Sequence, residues 1–184
     1  MNKTTALSLC AALGVATFAI PAVADEAIEI VTQAKAEFID REGNALGTAT
    51  LTESPHGVLI YLDLKGLPPA PKAIHIHSVG TCDDPEAGFV ASTGHLNPDG
   101  KEHGLMNPDG PDGGDLPNLI VREDGTVQVE FFTTLASLTG AEGRPKILDE
   151  DTAAFVIHQN RDDHITQPIG GAGPRIACGV IKAE

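Results

Sequence analysis

Positive charge is scarce in this sequence. Lys and Arg together number 12 against 26 Asp and Glu, for a formal charge of −14 at pH 7. Nucleic acids and anionic membranes are poor partners for such a chain, because both would be repelled. Long helical periodicity is missing as well: apolar residues do not recur at three- and four-residue spacing over any useful length. There is no internal repeat and no sign of a second domain. Past the N-terminus, no apolar run approaches bilayer length. Cysteine is limited to three, Cys10, Cys82 and Cys178.

The N-terminus is the one long apolar stretch. It reads MNKTTALSLCAALGVATFAIPAVADEA, with Lys3 ahead of the apolar run and Ala22-Val23-Ala24 forming a small-residue cleavage pattern. Residues 1–24 read as a secretory signal cut before Asp25, leaving one domain, 25–184. The run is short for a membrane span and ends in Pro21. Cys10 lacks the small residue before it that lipid attachment wants, so it leaves with the signal. Taking Lys3 from a charge of −14 leaves −15. Such a chain is expected to be periplasmic or secreted and, after cleavage, to have no membrane association. In an oxidising compartment, the remaining Cys82 and Cys178 read as one disulfide, contributing roughly 4–5 kcal/mol by chain entropy.

The body of the chain is a series of short apolar or alternating runs. Strands are predicted near 27–38, 45–53, 57–65, 73–79, 94–97, 117–122, 126–132, 153–158 and 176–182. Turns are expected at 41–44, 53–57, 65–72 and 123–125, with Glu123-Asp124-Gly125 the strongest hairpin signal. Strands at this spacing imply an all-β Greek-key barrel or sandwich. Two long loops, roughly 78–116 and 159–175, interrupt it, and loops of that length usually carry function.

The stretch KAIHIHSVGTC (72–82) carries a candidate site. Side chains alternate along a strand, so His75 and His77 share one face while Ile74 and Ile76 share the other. Taken alone, the pair fits either two polar positions on a wet face or two metal ligands. Further histidines follow at His95 (GHLNPDG), His103 (KEHG) and His158 (AAFVIH), and Asp115 closes the long loop in GGDLPN. Imidazoles with one carboxylate suit copper and zinc.

These residues carry a resemblance to a family. HIHSVGTC (75–82), GHLNPDGKEHG (94–104), GDLPNL (114–119), FVIHQNRDD (155–163) and GGAGPRIACGVI (170–181) occur in the order and with the gaps of the copper/zinc superoxide dismutases, bacterial secreted type. With LTESPHGVLIYLDLKGLPP (51–69), the resemblance covers nearly all of the mature chain. It implies an eight-stranded Greek-key β-barrel with two functional loops. It also implies that His75, His77, His95 and His158 hold copper, and that His95 bridges to zinc held by His103 and Asp115. Asp162 would link a copper histidine to a zinc histidine. Cys82–Cys178 would tie the long loop to the barrel, and Arg175 would stand beside copper. The catalytic residues would be Arg175 and His95, and the substrate superoxide. Copper would cycle between oxidation states, and His95 would leave it on reduction to carry a proton to the peroxide. A homodimer is allowed, since the family contains dimers and monomers.

In one place the sequence departs from the family. Three residues before Asp115 the family has a second zinc histidine, and here the residue is Asp112. Three readings are open: Asp112 is itself a zinc ligand, zinc is held by three residues, or the zinc side is not used. PKAI (71–74) also replaces the family's glycine and aromatic, which reads as packing. His56 reads as a turn residue, and His164 has no assigned role. Arg161 and Lys101 are candidate neighbours of Arg175 in a positive funnel for the anion. The alternative function is a noncatalytic copper-binding or delivery module on the same fold.

Overall fold

The computed structural model describes residues 32–184. The signal read at 1–24, its cut before Asp25 and the start of the first expected strand lie outside the described residues. Nine strands are present among them: β1 (Gln33–Asp40), β2 (Ala45–Ser54), β3 (Gly57–Leu64), β4 (Ala70–Lys72), β5 (Ile74–His77), β6 (Leu119–Val121), β7 (Val127–Thr133), β8 (Ala154–His158) and β9 (Arg175–Ala183). Seven form one sheet in the order β5-β8-β9-β1-β2-β3-β7, and β4 pairs with β6. β4 runs directly on into β5 at one sheet edge, and β6 turns into β7 at the other. The short pair therefore links the two edges of a curled sheet, the all-β plan expected.

Alternation builds the interior. On β3, Val58, Ile60, Leu62 and Leu64 are buried, while Leu59 and Tyr61 on the opposite face are exposed. These join Phe38, Leu51, Ile74, Ile76, Phe155 and Ile157 in one core cluster. Each such side chain contributes about 1.5–3 kcal/mol on burial.

β5 and β8 are different: every residue of both is buried. In the register His75 faces Val156, and His77 faces Ala154. Ile74, Ile76, Phe155 and Ile157 point into the core; His75, His77, Ala154, Val156 and His158 share the outer face. That face is covered by the first long loop. Cys82 and Phe89 from the loop pack on Ala154, Val156 and Cys178 as a second apolar cluster. The Cys82–Cys178 disulfide fastens the loop there, with Cα atoms 5.8 Å apart.

Three expectations need correction. Residues 94–97 are not a strand; they make one isolated bridge, His77 to His95. The segment 65–72 is more than a turn, since it contains β4, whose Pro71 sits opposite Ile120. Glu123-Asp124-Gly125 does make a tight turn, with Gly125 N–H donating to Arg122 O at 2.9 Å and Arg122 N–H to Thr126 O at 3.0 Å. The strands then part: β6 joins β4 and β7 joins β3, so the turn is a barrel corner.

Candidate metal centre

The pleat of β5 sets two imidazoles side by side, and backbone bridges bring the loop residues to them. Leu96 N–H donates to Ile76 O at 2.8 Å, fixing His95 against His77. Ile76 N–H donates to Gly114 O at 2.9 Å, and Asp115 bridges His75. His158 ends β8 opposite Arg175, the first residue of β9, beyond an irregularity in the register. The rings of His75 and His95 lie 4.2 Å apart, His75 and His158 5.1 Å, and His77 and His95 5.4 Å. All four of these histidines, with His103, Asp112, Asp115 and Asp162, thus converge on one region.

In each ring one nitrogen is fixed and the other is free. His75 Nε2 meets Asp162 Oδ2 at 2.9 Å, and His77 Nδ1 meets Thr93 O at 2.8 Å. His158 Nδ1 meets Gly173 O at 2.9 Å, and His95 Nδ1 meets Asp112 Oδ2 at 2.9 Å. Carbonyl and carboxylate oxygens only accept, so in each case the ring N–H donates. The second nitrogens are therefore lone-pair acceptors. These atoms, His75 Nδ1, His77 Nε2, His95 Nε2 and His158 Nε2, are buried without any hydrogen-bond partner. Leaving a buried polar atom unpaired costs about 1–3 kcal/mol, so four together mark a ligand set.

The local electrostatics divide the region in two. On one side, burial lowers His75 and His77, and pushes His158 down to about 3 with the neighbouring His75 adding to the effect. These rings are neutral and ready to donate lone pairs. On the other side, burial works against the charge of His103, but Asp115 and Asp162 on either side prevail and raise it to about 10. Burial likewise opposes ionisation of Asp115 and Asp162, and the adjacent His103 together with backbone N–H donors holds both below the usual carboxylate range. The space among His95, His103, Asp112 and Asp115 therefore favours a cation. Among the described residues, three groups have ligand atoms close enough for a metal: His75, His77 and His95; His75, His103, Asp115 and Asp162; and His95, His103, Asp112 and Asp115.

These observations agree with what comparison finds. A family model, copper/zinc superoxide dismutase, matches residues 45–181. The chain belongs to the copper/zinc superoxide dismutase family. The superoxide dismutase [Cu-Zn] of Caulobacter vibrioides is 50% identical over 142 residues, covering 77% of this chain and 80% of that one. Among solved structures, a superoxide dismutase-like protein from Bacillus subtilis aligns with a TM-score of 0.74 at 41% identity, over 79% of this chain and 96% of that one. The Cu/Zn superoxide dismutase from Brucella abortus aligns with a TM-score of 0.64 at 26% identity, over 82% and 99%. Membership of this family carries copper and zinc as the metals, and the unpaired nitrogens above fit such a pair.

Arg175 reaches the same cavity as His77, His95, His158 and Lys101. Its guanidinium donates to Phe89 O at 2.6 Å, Ser92 Oγ at 3.2 Å and Thr93 O at 2.6 Å. Burial lowers its pKa, with Asp84 opposing, and it keeps its charge at neutral pH. Arg161 lines a different cavity, along with Lys72 and Asn160, so of the two expected neighbours only Lys101 lines the cavity that Arg175 reaches. His56 is exposed at a turn, as expected. His164 stands beside the site: its Nε2 lies 2.9 Å from Asn118 Nδ2, and its N–H donates to Asp162 Oδ1 at 2.6 Å.

Sequence reading missed the supports. Asn118 clamps the backbone of Asp162, accepting its N–H at 2.8 Å and donating to its O at 2.9 Å. Thr93 and Gly173 act through carbonyl oxygens, which no side-chain motif announces. Gly170 packs against the Asp162 carboxylate so closely that a Cβ would overlap Oδ1.

Proposed function

We propose that this chain carries out its family's reaction, the dismutation of superoxide to oxygen and hydrogen peroxide. His75, His77, His95 and His158 would hold copper, and His103 and Asp115 would hold zinc, joined by His95 once the Nδ1–H it gives to Asp112 is lost. The observation that carries this reading is the set of four buried, unpaired ring nitrogens, each backed by an oxygen on the far side of its ring. Copper supplies the one-electron cycle that superoxide needs, whereas zinc has no redox chemistry.

The chain's own groups do the rest. Thr93 O, Gly173 O and the Asp162 carboxylate fix the tautomers, so the ring nitrogens facing the cavity carry lone pairs. Arg175, pinned by three acceptors, offers a fixed positive charge to a small anion beside those rings. His95 Nε2 is the atom suited to hold and release a proton, because it faces the cavity and its ring is oriented from behind. In a noncatalytic copper-holding module Arg175 would serve only to tie down the loop through Phe89, Ser92 and Thr93, whereas an enzyme uses its charge as well. The Cys82–Cys178 disulfide fits an oxidising compartment and, with the leader read at the N-terminus, supports export to the periplasm.

The test is direct superoxide decay by the disulfide-bonded protein loaded with copper and zinc, against the metal-free protein. Fast copper-dependent decay is expected. Tight copper binding without acceleration would move the function to the holding module.

A further inference from the structure

Asp112 has no ligand role in the reading above, yet it is built into the centre. It is 3% exposed. Its Oδ1 accepts Gly114 N–H at 2.9 Å, and its own N–H donates to Asp115 Oδ2 at 3.0 Å. Asp115 Oδ2 also accepts Gly104 N–H at 2.7 Å. In both carboxylates, then, one oxygen is bound to the loop backbone and the other is turned inward. The inward atoms are Asp112 Oδ2 and Asp115 Oδ1. With the ring nitrogens of His95 and His103 they form a group within 4.8 Å of one another.

A second observation points to a ligand in that space. His103 Nδ1 and Asp115 Oδ1 are buried and make no hydrogen bond. They are only 2.6 Å apart, yet not aligned as donor and acceptor. Both residues belong to the group whose ligand atoms lie close enough together to hold one ion. Two buried carboxylates with inward oxygens also repel each other unless a cation lies between them.

We propose that Asp112 is a ligand of the zinc subsite, which becomes two imidazoles and two carboxylates. This rests on the proposed function for the identity of the metal and on the geometry for the position. The donor set carries two formal carboxylate charges instead of one, with one imidazole replaced by a harder oxygen. Such a site tolerates hard divalent ions such as Mn²⁺ relative to zinc better than a three-histidine site does. The competing role is positional: Asp112 Oδ2 accepts His95 Nδ1–H at 2.9 Å and does nothing more than orient that ring.

The experiment uses the full, disulfide-bonded, copper-free protein. Zinc affinity is measured by chelator competition, and Co²⁺ is bound as a spectroscopic stand-in for zinc. Asp112→Asn keeps the shape and an acceptor for His95 while removing the charged ligand. It is expected to lose more than about 100-fold in zinc affinity, beyond the roughly 10–100-fold typical of outer partners. Asp112→His restores a nitrogen donor; it is expected to keep zinc, to shift the visible cobalt bands and to lower the affinity for Mn²⁺ relative to zinc. A smaller loss in Asp112→Asn, or cobalt bands that do not move in Asp112→His, would overturn the proposal. Neither readout uses catalysis. A failure of copper-dependent decay would sink the proposed function and leave the zinc result standing.

Discussion

Replacing Gly170 by Ala is expected to damage the metal centre through a residue that is not a ligand. Gly170 has φ +61°, and Gly171 beside it has φ +72°. An Ala at either site meets the same backbone penalty, about 1–2 kcal/mol for the left-handed conformation. The surroundings differ. A Cβ on Gly171 meets nothing within 4 Å. A Cβ on Gly170 would overlap Asp162 Oδ1, lying 2.6 Å from its Cγ and 3.0 Å from His103 Nε2. Asp162 cannot step aside freely, because Asn118 holds its backbone on both sides. Its carboxylate also holds His75 at 2.9 Å, His103 at 3.1 Å and the His164 N–H at 2.6 Å. Moving it sacrifices at least one hydrogen bond to a charged group, about 1.5–3 kcal/mol. Gly170→Ala should therefore be less stable than Gly171→Ala by about that amount in urea unfolding of the metal-free proteins. Its copper and zinc affinities should fall about 10–100-fold, the cost of losing an outer partner. Equal stabilities and equal metal affinities for the two variants would refute the reasoning.

Other changes test other links. Replacing Cys82 and Cys178 together by Ser removes a link with a sequence separation of 96 and should cost about 4–5 kcal/mol in urea unfolding; a loss under about 1 kcal/mol would mean that packing of Phe89 alone holds the loop. Arg175→Gln should leave copper content unchanged and slow superoxide decay about 10-fold or more, with a weaker salt dependence than the parent; an unchanged rate would remove Arg175 from the anion's path. In the metal-free protein, stability should peak near the ordinary histidine value of 6.5. Below it, the unfolded chain takes up protons that the buried His75, His77 and His158 refuse, costing up to about 1.4 kcal/mol per pH unit for each, down to about 3 for His158. Above it, the unfolded chain releases a proton that His103 keeps until about 10, so stability falls again. A melting temperature that keeps rising from pH 6.5 to 9 would contradict the upper arm, and one that keeps rising as pH falls from 6.5 to 5 would contradict the lower.

Much of this was legible because strand ligands obey the pleat. His75 and His77 share a face by alternation alone, and His158 ends a run whose apolar neighbours fix its strand. The loop ligands were legible only through the family's spacing, since nothing in GHLNPDG or KEHG says locally where the chain will turn. The strand expected at 94–97 failed for the same reason: His95 is placed by a single bridge to His77, too short to show a period. β4 was hidden by the three prolines of GLPPAPK, which read as a turn. Pro71 is tolerated because β4 pairs with β6 alone. Arg161 was misplaced because its side of the loop depends on the path between Asn160 and Asp162.

The division between strand and loop also bears on where the chain departs from its family. The copper-side rings come from β5 and β8, except His95. Their spacing is set by a register in which every neighbouring residue is buried. Changing one of them leaves an unpaired partner in the core or a gap under the covering loop. The zinc-side groups His103, Asp112 and Asp115 all come from the loop between Gly94 and Leu116, whose shape is made by backbone N–H groups bonded to the carboxylates themselves. A shorter side chain at 112 is accommodated there because its second oxygen takes the Gly114 N–H and so helps to fold the turn that presents it. An imidazole has no second acceptor placed to do this while also turning a nitrogen inward. In the proposed site, ligand and loop-former are one residue. The Asp112→His variant is thus expected to bind zinc yet melt no higher than the parent when both are loaded with zinc, and a clearly higher melting temperature would show that the turn at Gly114 does not depend on the Asp112 oxygen.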